Sequence, residues 1–352
     1  MAWFPFKFKK TPKSFLGIDI GTSSIRMVEL GRRGKELLLQ NYGEIQTTTA
    51  SKDALLTSNR DAARAITAIL REAGMQSRQA NFSIPDFSSF FTTFELPPMN
   101  EKEVESAVSY EARSYIPLPL SEITLDWQVV EGQISNSAKS KLKVLVAAIP
   151  NAVISQYQEI ASFSKLEVKA LEAEVFALSR PLTKDEKESI AIIDIGARST
   201  TCNIFEKGNL KLSHSFNMSG NELTEILRRS LKIDYKEAEE LKKQAGLLDL
   251  DGVEKEASLI LIPLIDSILS EIKKTFNNFR QQEGKDVQKI VLAGGSALMP
   301  GLKDYFFEEL GKEVQIANPF SKLSFPQVLQ ETLKEMGPTY AIAVGLALKG
   351  LE

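Results

Sequence analysis

Two aspartates in this chain stand where a carboxylate is unfavourable. In FLGIDIGTSSIRMVEL, Phe15 to Leu30, Asp19 interrupts an apolar run of Phe15, Leu16, Ile18 and Ile20 that otherwise reads as a buried strand. An unpaired carboxylate in low dielectric costs on the order of several kcal/mol, so its neighbours must compensate it. Gly21, Thr22, Ser23 and Ser24 follow at once, a tight polar turn before Ile25 to Leu30 returns as a second strand. Glycine admits a ligand close to the backbone, and a turn of successive N–H donors with three hydroxyls suits an anion, phosphate above all. Asp19 would then face a divalent cation through water, because Mg2+ keeps its hydration shell. A β-hairpin with a hydrogen-bonded aspartate at its turn explains the same residues without a ligand. On this stretch alone both readings stand.

The second aspartate shifts the balance. IDIGTSS at Ile18 to Ser24 recurs as IDIGARS at Ile193 to Ser199, an offset of 175 residues, or half the chain. Ile190, Ala191 and Ile192 lead into Asp194, and STTCNIFEKGNLKLSHSF follows as two strands turning at Lys207-Gly208-Asn209. Two related halves, each with an aspartate and a phosphate-type turn, describe a cleft for a nucleotide between them. A third turn fits the same cleft. KIVLAGGSALMPGL, Lys289 to Leu302, reads as a strand, a Gly294-Gly295-Ser296 turn that lets a flat ring or ribose lie close, and a helix opening near Pro300.

Other parts of the chain must position these turns. Arg60 to Ala73 reads as a helix with Ala63, Ile66, Ile69 and Leu70 on one face. Residues 81–150 differ in character: aromatic strands (FSIPDFSSFFTTFEL), a helix opened by an Asn100/Glu103 capping box, then LDWQVVEG and KLKVLVAAIP as strands. They are expected to form an inserted subdomain between first-lobe segments 15–80 and 151–185, the latter ending in a connecting helix. Residues 186–352 form the second lobe, with helices over Asn221–Lys232, Asp234–Ala245 and Glu254–Gln282, the last interrupted near Pro263.

Composition excludes several function classes. Of 352 residues, 43 are Lys or Arg and 46 Asp or Glu, interspersed to a net charge of −3 with no basic stripe, which argues against nucleic acid. One cysteine, Cys202, and one histidine, His214, rule out a disulfide within the chain and a Cys/His zinc site. Cys202 reads as a small buried hydrophobe and His214 as a surface or edge-strand residue. No run of about 20 apolar residues exists to span a bilayer. The N-terminal MAWFPFKFKKTPK, within residues 1–14, is expected to be a flexible tail whose aromatics tuck against the body or a partner; contact with a membrane surface is the alternative.

These motifs resemble the actin-like ATPase superfamily of actin, 70-kDa chaperones, hexokinase and FtsA. More closely, GIDIGTSSIRMVEL, YEARSYIPLPLSEITLDWQVV, AEVFALSRPL, IDIGARSTTCNIFEKGNL and LAGGSALMPGLKDYFFEELG resemble the PilM family of type IV pilus assembly proteins, from about Phe15 to Leu351. The resemblance implies an α/β, bilobed actin-like ATPase fold of duplicated RNase H-like domains, with an FtsA-like (SHS2-like) inserted subdomain in the first half. It implies ATP and Mg2+ in the cleft. Asp19 and Asp194 would be the Mg2+-facing carboxylates, Gly21, Thr22, Ser23 and Ser24 the first phosphate loop, and Gly196, Ala197, Arg198, Ser199 and Thr200 the second. Arg26 takes the place of a phosphate-facing lysine. Gly220, Gly294, Gly295 and Ser296 would meet ribose and base, with Glu239 and Lys242 as adenine neighbours or, without a ligand, an exposed ion pair. Glu174 matches the water-positioning carboxylate of hydrolysing relatives.

The family also implies a partner, the N-terminal cytoplasmic peptide of PilN, in a groove lined by Phe87, Phe90, Phe91, Tyr115, Ile116 and Leu118. Subdomain core is the alternative for each of the six. Through PilN the protein would join the inner-membrane alignment complex and assembly motors, lying in the cytoplasm at the inner face of the membrane. Two functions remain open: a scaffold with ATP as a structural ligand, or an ATPase whose hydrolysis drives assembly. A sugar kinase is expected to fit less well, since no sugar motif is visible, and so is FtsA itself, whose membrane-targeting helix has no counterpart as far as LKGLE.

Overall fold

Alternation along the first strand decides how the molecule is layered. In β1 (Ser14–Ile20), Leu16, Ile18 and Ile20 point to one side and Phe15, Gly17 and Asp19 to the other. β2 (Ser24–Arg33) and β3 (Glu36–Gln46) continue antiparallel from it, with Asp19 opposite Arg26 and Arg26 opposite Glu44. The computed structural model describes residues 14–46, 58–132, 134, 140–248 and 251–352. The expectation for the N-terminal tail falls on residues outside that set.

α1 (Asn59–Glu72) starts where Ser58 Oγ accepts the Asp61 N–H at 3.2 Å, and it buries Ala62, Ala63, Ile66, Ile69 and Leu70. β4 (Gln79–Ile84) then pairs parallel with β1. The inserted subdomain therefore begins later than residue 81, because the first half of FSIPDFSSFF supplies a central strand of the lobe. It comprises β5 (Phe90–Leu96), α2 (Glu101–Ala112), β6 (Ile123–Glu131) and β7 (Leu142–Pro150), a three-stranded sheet in the order β5-β7-β6. The Asn100/Glu103 capping box is present at the start of α2. Lys143 bridges to Glu283 at 2.5 Å and Lys211 bonds Glu131, tying this sheet to the second lobe.

α3 (Asn151–Phe163) and β8 (Glu167–Ala173) complete the first lobe, whose sheet runs β3-β2-β1-β4-β8. α4 (Glu174–Thr183) leads across to β9 (Ser189–Ile195), β10 (Thr200–Glu206) and β11 (Asn209–Phe216). α5 (Gly220–Leu231), α6 (Tyr235–Ala245) and α7 (Val253–Glu283) follow. α7 runs unbroken through Pro263, a correction to the expected interruption; the proline forfeits its own N–H, and its carbonyl accepts the Ser267 hydroxyl at 2.9 Å. β12 (Lys289–Ala293), α8 (Leu302–Leu310) and β13 (Glu313–Ile316) give a second sheet, β11-β10-β9-β12-β13. Strand for strand, this repeats the first.

The last helix, α9 (Gln330–Leu351), corrects the lobe boundary. Although 186–352 was expected to be the second lobe, α9 lies on the first sheet: Tyr340, Ala343, Val344, Ala347 and Leu351 share an apolar cluster with Phe15, Val28 and Leu30. Gly17 makes this possible, since a Cβ there would stand 1.9 Å from the Ala343 carbonyl oxygen. α4 crosses in the opposite sense, with Val175, Ala177 and Leu178 clustered with Ile190, Ile192 and Phe205 of the second sheet. The two helices meet at Gly345, where a Cβ would be 1.8 Å from the Ala177 oxygen.

Candidate functional site

Both aspartates sit at the ends of central strands, on the faces that the two sheets turn toward one another. Asp19 follows Phe15 and Gly17 on the α9 side; Asp194 follows Ile190 and Ile192 on the α4 side. Each is followed by the same turn. Gly21 N donates to Ser24 O at 2.9 Å and Gly196 N to Ser199 O at 3.0 Å. The strand register repeats too, Asp19 opposite Arg26 and Asp194 opposite Thr201.

Asp19 is buried and accepts the Ser83 hydroxyl at 2.8 Å, a hydrogen bond that comes from β4 rather than from the turn. Burial raises its pKa, opposed by Arg26 and by the Ser83 hydrogen bond. Burial, with Asp19 nearby, pushes Asp194 up to about 7. Thr22, Ser23, Gly196, Ala197 and Ser199 are half-buried at the two turns, and Arg198 is exposed. Ser24 is buried, its Oγ without a hydrogen-bond partner among the described residues. Thr200 Oγ1 donates to the Met218 carbonyl at 2.6 Å, which fixes the end of the second turn.

Arg26 stands opposite Glu44 of β3, and its guanidinium pairs with that carboxylate at 2.7 Å, while its buried Nε has no hydrogen-bond partner among the described residues. Lys242 and Glu239 are an ion pair at 2.7 Å, but not the exposed one that is the ligand-free alternative. Lys242 is buried and also donates to the Gly220 carbonyl at 3.0 Å and Thr224 Oγ1 at 2.8 Å, pinning α6 beneath α5. Gly220 in turn donates to the Gly196 carbonyl at 2.9 Å, docking α5 on the second turn, where a Cβ on it would stand 2.8 Å from Ser296 Oγ.

Gly294 has φ +87°, and a Cβ there would be 2.3 Å from Asp194 Oδ1, so no other residue fits against that carboxylate. Its N–H donates to the Pro338 carbonyl of α9 at 3.0 Å. Gly295 borders open space. Helix α8 opens at Leu302, two residues past Pro300, because Gly301 takes the cap position with φ +77°.

Glu174 stands at the first residue of α4 and exchanges bonds with a residue that sequence reasoning did not single out. Asp86 N donates to Glu174 Oε2 at 3.1 Å, and Val175 N donates to Asp86 Oδ1 at 3.1 Å. Burial, then the Val175 hydrogen bond and the repulsion of Asp194, set the Asp86 pKa at about 7; burial and the charges of Asp86, Asp19 and Asp194 hold Glu174 well above the usual carboxylate range. Asp86 closes β4 at the place where Gly294-Gly295-Ser296 closes β12, and that equivalence is the signal that would have found it. Among the described residues no three His, Cys, Asp or Glu side chains are grouped as direct ligands of a metal ion would be.

The six partner-facing candidates separate. Phe90 and Tyr115 are exposed, Tyr115 stacking on Phe94 at 5.4 Å. Phe91 packs edge-on to Phe176 of α4 at 5.9 Å, and Leu118 lies partly buried on the small-sheet core. Ile116 is only 7% exposed within that core and is not available to a peptide. Phe87 faces elsewhere: the Arg198 guanidinium lies 4.4 Å over its ring, across the cleft.

Duplicated five-stranded sheets with facing aspartate turns, a glycine turn on one wall and a crossed helix pair define a bilobed actin-like ATPase fold. Solved structures agree: EutJ from Carboxydothermus hydrogenoformans superposes with TM-score 0.59 over 96% of this chain and 90% of its own at 19% identity, and Spiroplasma citri MreB5 bound to ADP with 0.54 over 95% and 94% at 13%. A family model described as type IV pilus assembly protein PilM matches residues 17–351, and the chain belongs to that family. A structure described as a PilM–PilN type IV pilus biogenesis complex superposes with TM-score 0.86 over 97% of this chain and all of its own, at 25% identity. Among curated relatives, FtsA of Bacillus subtilis is 30% identical over 164 residues, 40% of this chain. That match spans 36% of the relative's length, and one to FtsA of Agrobacterium fabrum spans 50%.

Proposed function

We propose that this chain is a nucleotide-binding scaffold of type IV pilus assembly, which holds Mg2+ and ATP between its lobes and docks the N-terminal cytoplasmic peptide of PilN beside the small sheet. The observation that carries the nucleotide half is the pair of equivalent turns that bring Asp19 and Asp194 onto facing surfaces. The residues fit such a ligand. Asp86 and Asp194, pushed up to about 7, mark an excess of buried negative charge that a hydrated divalent cation relieves. Ser24 Oγ lacks a partner among the described residues, and Gly295 leaves one wall open.

Asp19 and Asp194 would hold the cation through water, the two turns the phosphates, and Gly220 with Gly294 to Ser296 the ribose and base, backed by Glu239 and Lys242. Bound Mg2+ supplies charge neutralisation for the phosphates. This chain's own residues supply closure: a ligand gripped by both lobes favours the closed arrangement and so sets the shape of the adjacent groove. Similarity to the chain in the PilM–PilN complex supports PilN as partner, with Phe90, Phe91, Tyr115 and Leu118 as the aromatic and aliphatic lining. No helix among the described residues is long and apolar enough to cross a membrane, so attachment to the inner face, the alignment complex and the motors would run through the partner.

A second reading, an ATPase cycle, is favoured by Glu174. A carboxylate held well above the usual carboxylate range by burial and neighbouring acids is a stronger base for orienting water. One experiment serves both: nucleotide identified after purification, followed by single-turnover hydrolysis with Mg2+. Retained ATP is expected for the scaffold, and prompt conversion to ADP would favour the cycle. Asp19→Ala should lower Mg–ATP affinity by about 100-fold or more with the fold intact, given the cost of losing a charged contact in a closed site. Unchanged affinity in that variant would sink the assignment.

A further inference from the structure

Four carboxylates, Asp19, Asp86, Glu174 and Asp194, interact at this cleft, so an incoming polyphosphate meets like charge. Two of the cations around it are already engaged, Arg26 with Glu44 and Lys242 with Glu239. Arg198 is different. It is exposed at the apex of the second turn and, among the described residues, forms no ion pair; its guanidinium instead lies 4.4 Å over the Phe87 ring. Stacking uses the flat face of a guanidinium and leaves its rim of N–H donors free for phosphate oxygens.

The platform under it is fixed. Phe87 follows Asp86, which is locked by its two reciprocal bonds with the start of α4, at 3.1 Å each. Arg198 belongs to the second lobe and Phe87 to the chain leaving β4, so the stack spans the two sides of the cleft. An arginine held in this way has lost much of its side-chain freedom before a ligand arrives.

We infer that Arg198 is a specificity-determining residue that reads the terminal phosphate of a nucleoside triphosphate, and that Phe87 is the positioning residue that presents it. The inference rests on the nucleotide reading above. Arg198 distinguishes triphosphate from diphosphate by a charge-assisted contact that the shorter ligand cannot make.

The test is calorimetric titration of the full chain and its variants with Mg–ATP and Mg–ADP. Arg198→Gln should weaken ATP binding about tenfold and leave ADP within about twofold, as expected for loss of one charged hydrogen-bonding group. Phe87→Leu should lower the ATP-to-ADP preference by a smaller factor, and the double variant should fall no further than Arg198→Gln alone. Arg198→Lys, which keeps the charge without the fork, should recover part of the preference. Equal weakening of both nucleotides in Arg198→Gln, or no weakening, would overturn the assignment. An unchanged ratio in Phe87→Leu would overturn its positioning role. A wild-type chain that binds neither nucleotide would instead overturn the nucleotide reading, so the two failures are told apart.

Discussion

The two lobes share one strand order and part company where the fourth strand of each sheet ends. β4 runs out into Pro85-Asp86-Phe87, whereas β12 runs out into Gly294-Gly295-Ser296. On the first side a carboxylate locks onto α4 and a ring reaches across to Arg198. On the second side the absence of side chains makes room for Asp194 and leaves a wall open. Duplication therefore supplies the symmetric part of the proposed site, two equivalent turns. The divergence at one strand end supplies the asymmetric part, an acidic side and an open side suited to a ligand whose ends differ.

Substitutions at these strand ends can break that contrast. The largest effect is expected for Gly294→Ala, which places a Cβ 2.3 Å from Asp194 Oδ1 at a φ of +87°. It should cost about 2–4 kcal/mol, read as a shift of the urea midpoint at constant slope, combining backbone strain with overpacking. Alanine tolerated there at under about 0.5 kcal/mol would show that the glycine wall is not required. Next comes the insertion that only the first half carries. Phe90→Glu or Tyr115→Glu should weaken binding of a PilN N-terminal peptide about tenfold and leave ATP affinity within about twofold; equal loss of both, or unfolding, would return these residues to the subdomain core.

The smallest effect separates the two aspartate environments by pH. Asp194 has its folded-state pKa raised to about 7, so the folded chain binds this proton more tightly than the unfolded one. Stability from this group is then present below about pH 4 and is lost as pH rises toward 7, with no further change above. Asp194→Asn should stabilise the nucleotide-free chain at pH 8 by on the order of 1 kcal/mol, read as a raised melting temperature, and leave it nearly unchanged at pH 4. A gain of equal size at both values would mean that packing, not charge, sets the effect.

Short local patterns were the most legible part of this chain. Both aspartate turns, the paired-glycine turn, α1 and the Asn100/Glu103 cap depend on neighbours a few residues apart, and all were readable from type and spacing. Lys242 shows where that stops: an i,i+3 pair with Glu239 is visible in sequence, but its burial under α5 depends on Gly220 and Thr224, some 20 residues away. Asp86 was passed over inside FSIPDFSSFFTTFEL, which reads as aromatic strands, and only the pairing of β4 with β1 brings it to the cleft. The place of α9 was invisible for the same reason at greater range. Its buried face is apolar on every side, and nothing in TYAIAVGLALKG says which sheet it will cover.

That exchange of helices has a consequence for biosynthesis. Phe15, Val28 and Leu30 leave the ribosome early but find much of their apolar cover only in the stretch from Phe320 to Leu351. At about 5–20 residues per second, the apolar back of the first sheet stays bare for on the order of tens of seconds. The first lobe is thus the last to be finished, a high contact order that slows folding and favours chaperone attendance during synthesis. A chain cut before Tyr340 would carry its second sheet complete on a first lobe that lacks most of its floor.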